Sequence, residues 1–453
     1  RSLGQTAVTT RKLRSLYLNM VFSRRYRLLR RLLAEMKRRA TFKPHVVSVF
    51  LQIDDPYSYL LSHYLPQIAQ QYKDVELHYY LCQALRHEYM PAPDMLAEYA
   101  VMECRLLAKE FDVPFLDKGD APVVEHRRAL LDFLAEEQEE EDFPETFGQA
   151  LGAYWRGDEE GVVRLLGRTQ PERPETNILI SRNQLLLRKL GHYNTATMHY
   201  AGEWYWGVDR LHYLTKRFDA LGLNRWDEPN AGLASLKQAR QLSLPAATPG
   251  AADNLPSLEM FHSFRSPYSY LALKRTFEIA DAFGLELEVR PVLPMVMRGM
   301  AVPKPKLLYI AKDANREARR FGVPFGKLAD PVGLGAERCI AAFYYAKSQG
   351  RERDFLVAAG EAIWAEAIDV AEDEGMQVVA ERSGLFWPDV KAALGQEEWR
   401  LAVEENRQVM TEAGVWGVPS FRIGSLALWG QDRDWLLARK IEDMCHAGDG
   451  IMV

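Results

Sequence analysis

The chain has 453 residues, 47% hydrophobic and 26% charged, with a formal net charge of -5. This is the composition of a globular protein with core enough for two or three domains, and it carries no overall basic signature for nucleic acid. No apolar run approaches the ~18 residues that cross a bilayer.

No secretory signal is visible at Arg1. The four cysteines, Cys82, Cys104, Cys339 and Cys445, include no Cys-x-x-Cys pair and no zinc-like spacing, so a reducing, cytoplasmic setting is expected. None of the ten histidines sits in an H-E-x-x-H spacing, and His87 and His262 read as structural.

In chain order, residues 1–41 form a basic helical arm. Leu13, Leu16, Tyr17, Met20, Val21, Leu28, Leu29, Leu32 and Leu33 supply an apolar face. Arg24, Arg25, Arg27, Arg30, Arg31, Lys37, Arg38 and Arg39 supply charge, opposed by Glu35. The arm reads either as packed on the body with a solvated basic face, or as a helix for a membrane surface or an acidic partner.

Residues 42–228 form a first domain. Val46–Leu51 is a strand, Pro56 to Tyr72 a helix and Val75–Tyr80 a second strand. Helical patterns follow from Cys82 to Leu190, with the acidic run Glu136–Asp142 on a solvated helix end or loop. A strand signal returns at Thr195–Tyr200, and Val208–Leu221 closes the domain as a helix.

Residues 229–257 are rich in Pro, Ala, Gly and Ser and read as a linker, loosest at Pro245–Gly250. Residues 258–453 then replay the order. Leu258–His262 and Leu285–Val289 are strands around a Pro267–Phe283 helix. Helices run from Lys306 to Asn406, two short strands fit in Ser420–Leu428, and Asp432–Met444 is the last helix.

Two phrases recur in both halves. Asp55-Pro56-Tyr57-Ser58-Tyr59-Leu60 matches Ser266-Pro267-Tyr268-Ser269-Tyr270-Leu271. Trp206-Gly207-Val208-Asp209-Arg210 matches Trp429-Gly430-Gln431-Asp432-Arg433. Repetition in the same order predicts a tandem duplication. Each half is β-α-β, a block of helices, then β-β-α. The expected class is therefore α/β, with two tandem thioredoxin-like domains, each carrying an all-helical insertion.

Ser266 is the leading candidate residue. It stands at a strand-to-helix turn as N-cap before Pro267, where the positive end of the helix favours an anion such as a thiolate. The plainer alternative is a simple cap. A Pro directly before a short strand makes Val418-Pro419 either a cis peptide, with the Val418 backbone open to an extended ligand, or a trans edge-strand turn. Asp432 and Arg433 repeat Asp209 and Arg210, which favours a structural pair and singles out Gln431. Gly333-Leu334-Gly335 lacks a third Gly and a preceding strand, and is discarded as a nucleotide loop.

With these residues in hand, the second half resembles the 2-hydroxychromene-2-carboxylate isomerases and kappa-class glutathione transferases of the DsbA-like thioredoxin branch. The matching phrases are Ser266–Leu271, Gly414–Phe421 and Trp429–Arg433, with weaker matches at Lys306–Tyr309, Gly322-Val323-Pro324 and Ala362-Ile363-Trp364. The resemblance implies glutathione as cofactor and a small organic substrate. Ser266 would stabilise the thiolate, and Val418 before cis Pro419 would hold the cysteinyl backbone. Gln431 and Asp432 would bind the γ-glutamyl end. Lys306 would reach the ligand, with Lys304 competing for that match. Arg265 departs from the family's small or apolar residue and would either recruit an acidic substrate or obstruct the site.

In the first half, Asp55 would repel a thiolate and Ala196 replaces Pro419, so that copy is expected to be non-catalytic. Kappa-type proteins are homodimers, so a fused tandem would pack as an intrachain pseudo-dimer. The rival expectation is a non-catalytic thioredoxin-fold protein that binds a peptide or partner protein.

Overall fold

A computed structural model describes residues 19–83, 91–115, 122, 124–167, 173–228, 230–245 and 255–449. Leu13, Leu16, Tyr17, His87, Pro229 and residues 246–250 of the preceding reading lie outside these. The chain divides into two compact units, Arg30–Gln241, and Arg1–Leu29 with Leu242–Val453.

The first unit is built on a four-stranded sheet of β1 (His45–Leu51), β2 (Val75–Leu81), β3 (Thr197–Tyr200) and β4 (Glu203–Trp206), in the order β2-β1-β3-β4. β1 pairs parallel with β2 and antiparallel with β3. Five helices, Pro93–Phe111, Arg127–Glu137, Phe143–Trp155, Glu159–Leu166 and Pro174–Leu190, separate β2 from β3 among the described residues. Val49, Phe50, Met198 and Tyr205 are fully buried on the sheet, and Leu214 and Phe218 of the Leu211–Ala220 helix close its core.

The second unit repeats the plan. Its strands are β5 (Leu258–His262), β6 (Leu287–Pro291), β7 (Ser420–Ile423) and β8 (Leu426–Trp429), in the order β6-β5-β7-β8. Met260 faces Val289 and Phe421, as Val49 faces Tyr79 and Met198 in the first sheet. Six helices, Lys304–Phe321, Leu334–Ser348, Glu352–Trp364, Asp373–Arg382, Trp387–Ala393 and Trp399–Glu412, lie between β6 and β7. β5 is buried along its whole length, Glu259 included. That carboxylate is ion-paired to Arg290 of β6 and Arg422 of β7, which offsets the cost of burying it.

Three elements differ from expectation. The Pro56–Tyr72 helix is two helices, Pro56–Ser62 and Leu65–Gln71, because Pro66 stands in the first turn of the second and opens a new helix there. The second-unit counterpart, Pro267–Phe283, has no internal proline and is continuous.

Within the expected linker, Ala231–Ala239 is helical, with the Asn230 side chain accepting from Gly232 N at 3.0 Å. Its Ala, Leu, Lys and Gln residues are good helix formers.

The basic arm continues as the helix Arg24–Ala40, but its faces are reversed. Arg31, Glu35 and Arg38 are partly buried, while Leu28, Leu29, Leu32, Leu33 and Met36 are exposed. Just before it, the carbonyl of buried Phe22 accepts from Asn315 Nδ2 at 2.6 Å and Arg319 Nη2 at 3.0 Å on the Lys304–Phe321 helix. No described helix is long and apolar enough to cross a membrane.

Candidate functional site

β5 ends at His262, and four residues later Ser266 caps the Pro267–Phe283 helix. Ser266 is in extended conformation, and its Oγ accepts from Ser269 N at 3.1 Å. Ser266 N donates to Ser263 O at 2.9 Å, which closes the turn. The turn therefore places one hydroxyl on the axis of a helix 17 residues long, at its positive end.

The Val418-Pro419 loop meets that hydroxyl. The bond is the only cis peptide among the described residues. Ser266 Oγ donates to Val418 O at 3.3 Å, a long contact for a hydroxyl donor. The Val418 N–H has no partner among the described residues. The loop is fixed on both sides: Gly430 N donates to Pro419 O at 2.9 Å, and Ser420 Oγ donates to Gly417 O at 2.7 Å. Gly417 has to be glycine, since a Cβ there would lie 2.5 Å from the Trp429 ring.

The structure thus brings Ser266, Val418 and Pro419 together. Gln431 is placed differently. Its side chain is buried, with Oε1 accepting from Arg275 Nη2 and Nε2 donating to Glu317 Oε2, both at 2.7 Å. Arg275 also donates to Gln431 O at 2.7 Å and pairs with Asp434. Both ends of the amide are spent inside the protein, so Gln431 supports the start of the last helix instead of offering its side chain to a ligand.

Asp432 lies 3.7 Å from Arg433 Nη1, whose guanidinium also donates to Asp432 O. Arg210 makes the same bond to Asp209 O in the first unit. That recurrence assigns the Asp-Arg pair to the architecture of the turn.

Lys306 sits in the first turn of the Lys304–Phe321 helix. Positions 306, 313 and 317 share one helical face. On that face Asp313 accepts from Tyr268 Oη at 2.7 Å, and Glu317 holds Gln431. Lys306 therefore lies on the side that packs toward the Ser266 helix, and burial pulls its pKa below the ordinary lysine value. Lys304 is exposed.

Other residues surround the turn, and of these Arg298 and Ser263 carried no signal in the sequence. Arg265 is held by Asp330 through two bonds of 2.8 and 3.0 Å. Arg298, in the turn after β6, donates to Trp416 O at 3.2 Å, two residues before Val418. Burial pulls its pKa down to about 10.

Ser263 Oγ and His262 Nδ1 are buried without a partner, and burial lowers the His262 pKa to about 3, so the ring is neutral. None of the cysteines belongs to this turn or forms a disulfide. Cys82, Cys104 and Cys339 are buried, and burial pushes the Cys82 thiol up to about 12 and Cys339 higher still.

A hydroxyl at a helix N-terminus and an open backbone N–H beside a cis proline are what a thiol-bearing peptide ligand requires, so Ser266 and Val418 fit glutathione. The Gln431 side chain does not.

The comparisons with known proteins agree on the second half. The DSBA-like thioredoxin domain model matches residues 257–442. This half of the chain is a DsbA-like thioredoxin domain. The 2-hydroxychromene-2-carboxylate isomerase of Pseudomonas putida is 25% identical over 197 residues, which is 42% of this chain and 96% of the relative. The isomerase of the same name from Sphingobium xenophagum is 29% identical over 189 residues, 39% of this chain and 93% of the relative. A solved structure of selenomethionine 2-hydroxychromene-2-carboxylate isomerase aligns at 23% identity and TM-score 0.38, covering 43% of this chain and 99% of that one.

Proposed function

We propose that the DsbA-like domain binds glutathione at the Ser266 turn and acts as a glutathione-dependent isomerase or transferase on a small organic molecule. The Asp55 turn of the first unit is a non-catalytic copy of the same plan. The observation that carries this reading is the Ser266 hydroxyl, placed between a helix N-terminus and the Val418 carbonyl of the cis-proline loop.

When bound, glutathione supplies a nucleophilic sulfur. Ser266 Oγ has one proton to give. It accepts from Ser269 N, and its proton, now in the long 3.3 Å contact to Val418 O, would turn to an anion bound at the helix N-terminus. The helix dipole adds to the same preference and lowers the pKa of a thiol held there. Val418 N–H binds an extended backbone. Lys306 and Arg298 bring positive charge to the neighbouring helix and turn, suited to a carboxylate. A Cys-x-x-Cys pair is missing from the sequence, so the turn serves bound thiol chemistry and not dithiol exchange. The names of the relatives support an isomerase, and the residues at the turn support a transferase equally.

Calorimetry with glutathione on wild type and Ser266→Ala tests this. One site per chain of roughly micromolar to millimolar affinity is expected. The variant should lose the ultraviolet absorbance of bound thiolate. No heat at millimolar glutathione would overturn the reading. The open Val418 N–H would then favour the second possibility, a binding module for an extended peptide.

A further inference from the structure

The Arg24–Ala40 helix carries its amphipathicity inside out. At 3.6 residues per turn, Leu28, Leu29, Leu32, Leu33 and Met36 fall within an arc of about 140°. Each is roughly half exposed, from 48% for Leu28 to 57% for Leu32 and Met36. The opposite arc, with Arg27, Arg31, Glu35 and Arg38, is the partly buried one.

Specific bonds hold that arc inward. Arg31 makes two bonds of 2.7 Å to Glu203 of β4. Burial would raise the Glu203 pKa, but the Arg31 bonds and the Arg217 charge outweigh it and keep the carboxylate ionised, with a pKa of about 2. Arg38 donates to Lys43 O at 2.8 Å and pairs with Glu35. An ordinary surface helix would turn its leucines to the core and its arginines to water. Here ion pairing fixes the reverse.

From this geometry we infer that the exposed stripe docks on the surface of an anionic lipid bilayer, with the helix lying in the plane of the headgroups. Charge complementarity selects this occupant. The helix has eight basic residues against Glu35 alone, a net +7. Arg24 and Arg25 at one end of the stripe and Lys37 and Arg39 at the other are exposed. Cations at both ends of an apolar ridge can reach a headgroup layer while the leucines enter the acyl boundary. A second copy would bring two such helices face to face against like charge. The stripe also lacks the aromatic anchors that mark the centre of most protein interfaces. At 1.5 Å per residue the helix is about 25 Å long, which suits a segment lying on the surface.

The test is flotation of the full-length protein with vesicles of phosphatidylcholine alone, or of equal parts phosphatidylcholine and phosphatidylglycerol. Wild type should float with the anionic vesicles only, and less as salt is raised. The variant Leu29→Gln/Leu32→Gln/Leu33→Gln should partition about tenfold less or weaker still, since each change removes buried apolar area. Arg24→Gln/Arg25→Gln/Lys37→Gln should lose the preference for anionic lipid. All six positions are exposed, so circular dichroism should show both variants folded.

Failure of wild type to float with either vesicle, or equal flotation by the leucine variant, overturns the proposal. If wild type is instead a dimer by light scattering that the leucine variant dissolves, without lipid binding, the occupant is a second copy. If it is monomeric and lipid-free, an acidic protein takes that place.

Discussion

The two strand-to-helix turns, at Asp55 and Ser266, share a sheet register and differ in one layer of chemistry. Gln52 N donates to Ser58 Oγ in one, as Ser263 N does to Ser269 Oγ in the other. Tyr57 and Tyr268 each give their hydroxyl to a carboxylate on the first inserted helix, Glu103 and Asp313. Gly207 N bonds Ala196 O as Gly430 N bonds Pro419 O.

The caps diverge. Asp55 takes the Tyr57 N–H, the Ser58 hydroxyl at 2.8 Å and the Thr195 hydroxyl at 2.9 Å. Thr195 stands where Val418 stands, and its hydroxyl reaches the cap carboxylate, whereas in the second unit the cap hydroxyl reaches the Val418 carbonyl. The cap is thus tied to the facing loop through a side chain in one case and through that loop's backbone carbonyl in the other. Ala196, in place of the proline, adopts φ +52°.

The comparison can be broken most severely at Arg275, which ties the Ser266 helix to Gln431 and Asp434. In the first unit Tyr64 occupies the corresponding place. Arg275→Ala leaves Asp434 buried without its cation and Gln431 without its donor, and a loss of ~3–5 kcal/mol is expected in denaturant unfolding of the second unit.

Asp55 sharpens the contrast through pH. Burial raises its pKa from 3.8 to about 6, against the bonds from Ser58 and Thr195 that lower it. The folded state thus holds the proton more tightly than the unfolded chain. The stabilisation is complete below about pH 4 and is lost as pH rises through about 6, by ~3 kcal/mol. Asp55→Asn should remove that dependence. Its stability relative to wild type should improve from acid to neutral pH, measured by paired denaturation curves.

Ser266→Asp writes the first turn's cap into the second. The helix remains capped, but a carboxylate now faces a thiolate. Glutathione affinity at neutral pH should fall about a hundredfold, with circular dichroism unchanged. The smallest effect is expected at the lysines. Lys306→Met should weaken binding about tenfold, and Lys304→Met should leave it unchanged, both read by calorimetry.

The repeated phrases around Pro56 and Pro267, with the alternating strands, were enough to place both sheets, because strand periodicity and caps are local signals. The cap at Ser266 was legible because capping is local, and the cis alternative at Pro419 because one residue type is diagnostic. The burial of Gln431 was not readable, because its partners, Arg275 and Glu317, lie 156 and 114 residues away. Arg265 was ambiguous for the same reason: Asp330 lies 65 residues on, and nothing near Arg265 announces it. Lys306 and Lys304 could not be separated until the helix start fixed which one shares a face with Asp313. The basic arm's periodicity was visible, but not its orientation, which Glu203 decides from 172 residues away.

The sealed cysteines have a practical corollary. With Cys82, Cys104 and Cys339 buried, an alkylating reagent added to the folded protein meets mainly Cys445, which is half-buried in the last helix. Replacing that one residue by Ser would leave the chain almost silent to maleimides. Any fast-reacting sulfur then seen in a mixture of protein and labelled thiol would belong to the bound molecule, and its alkylation rate against pH would report its acidity directly, without a background from the protein.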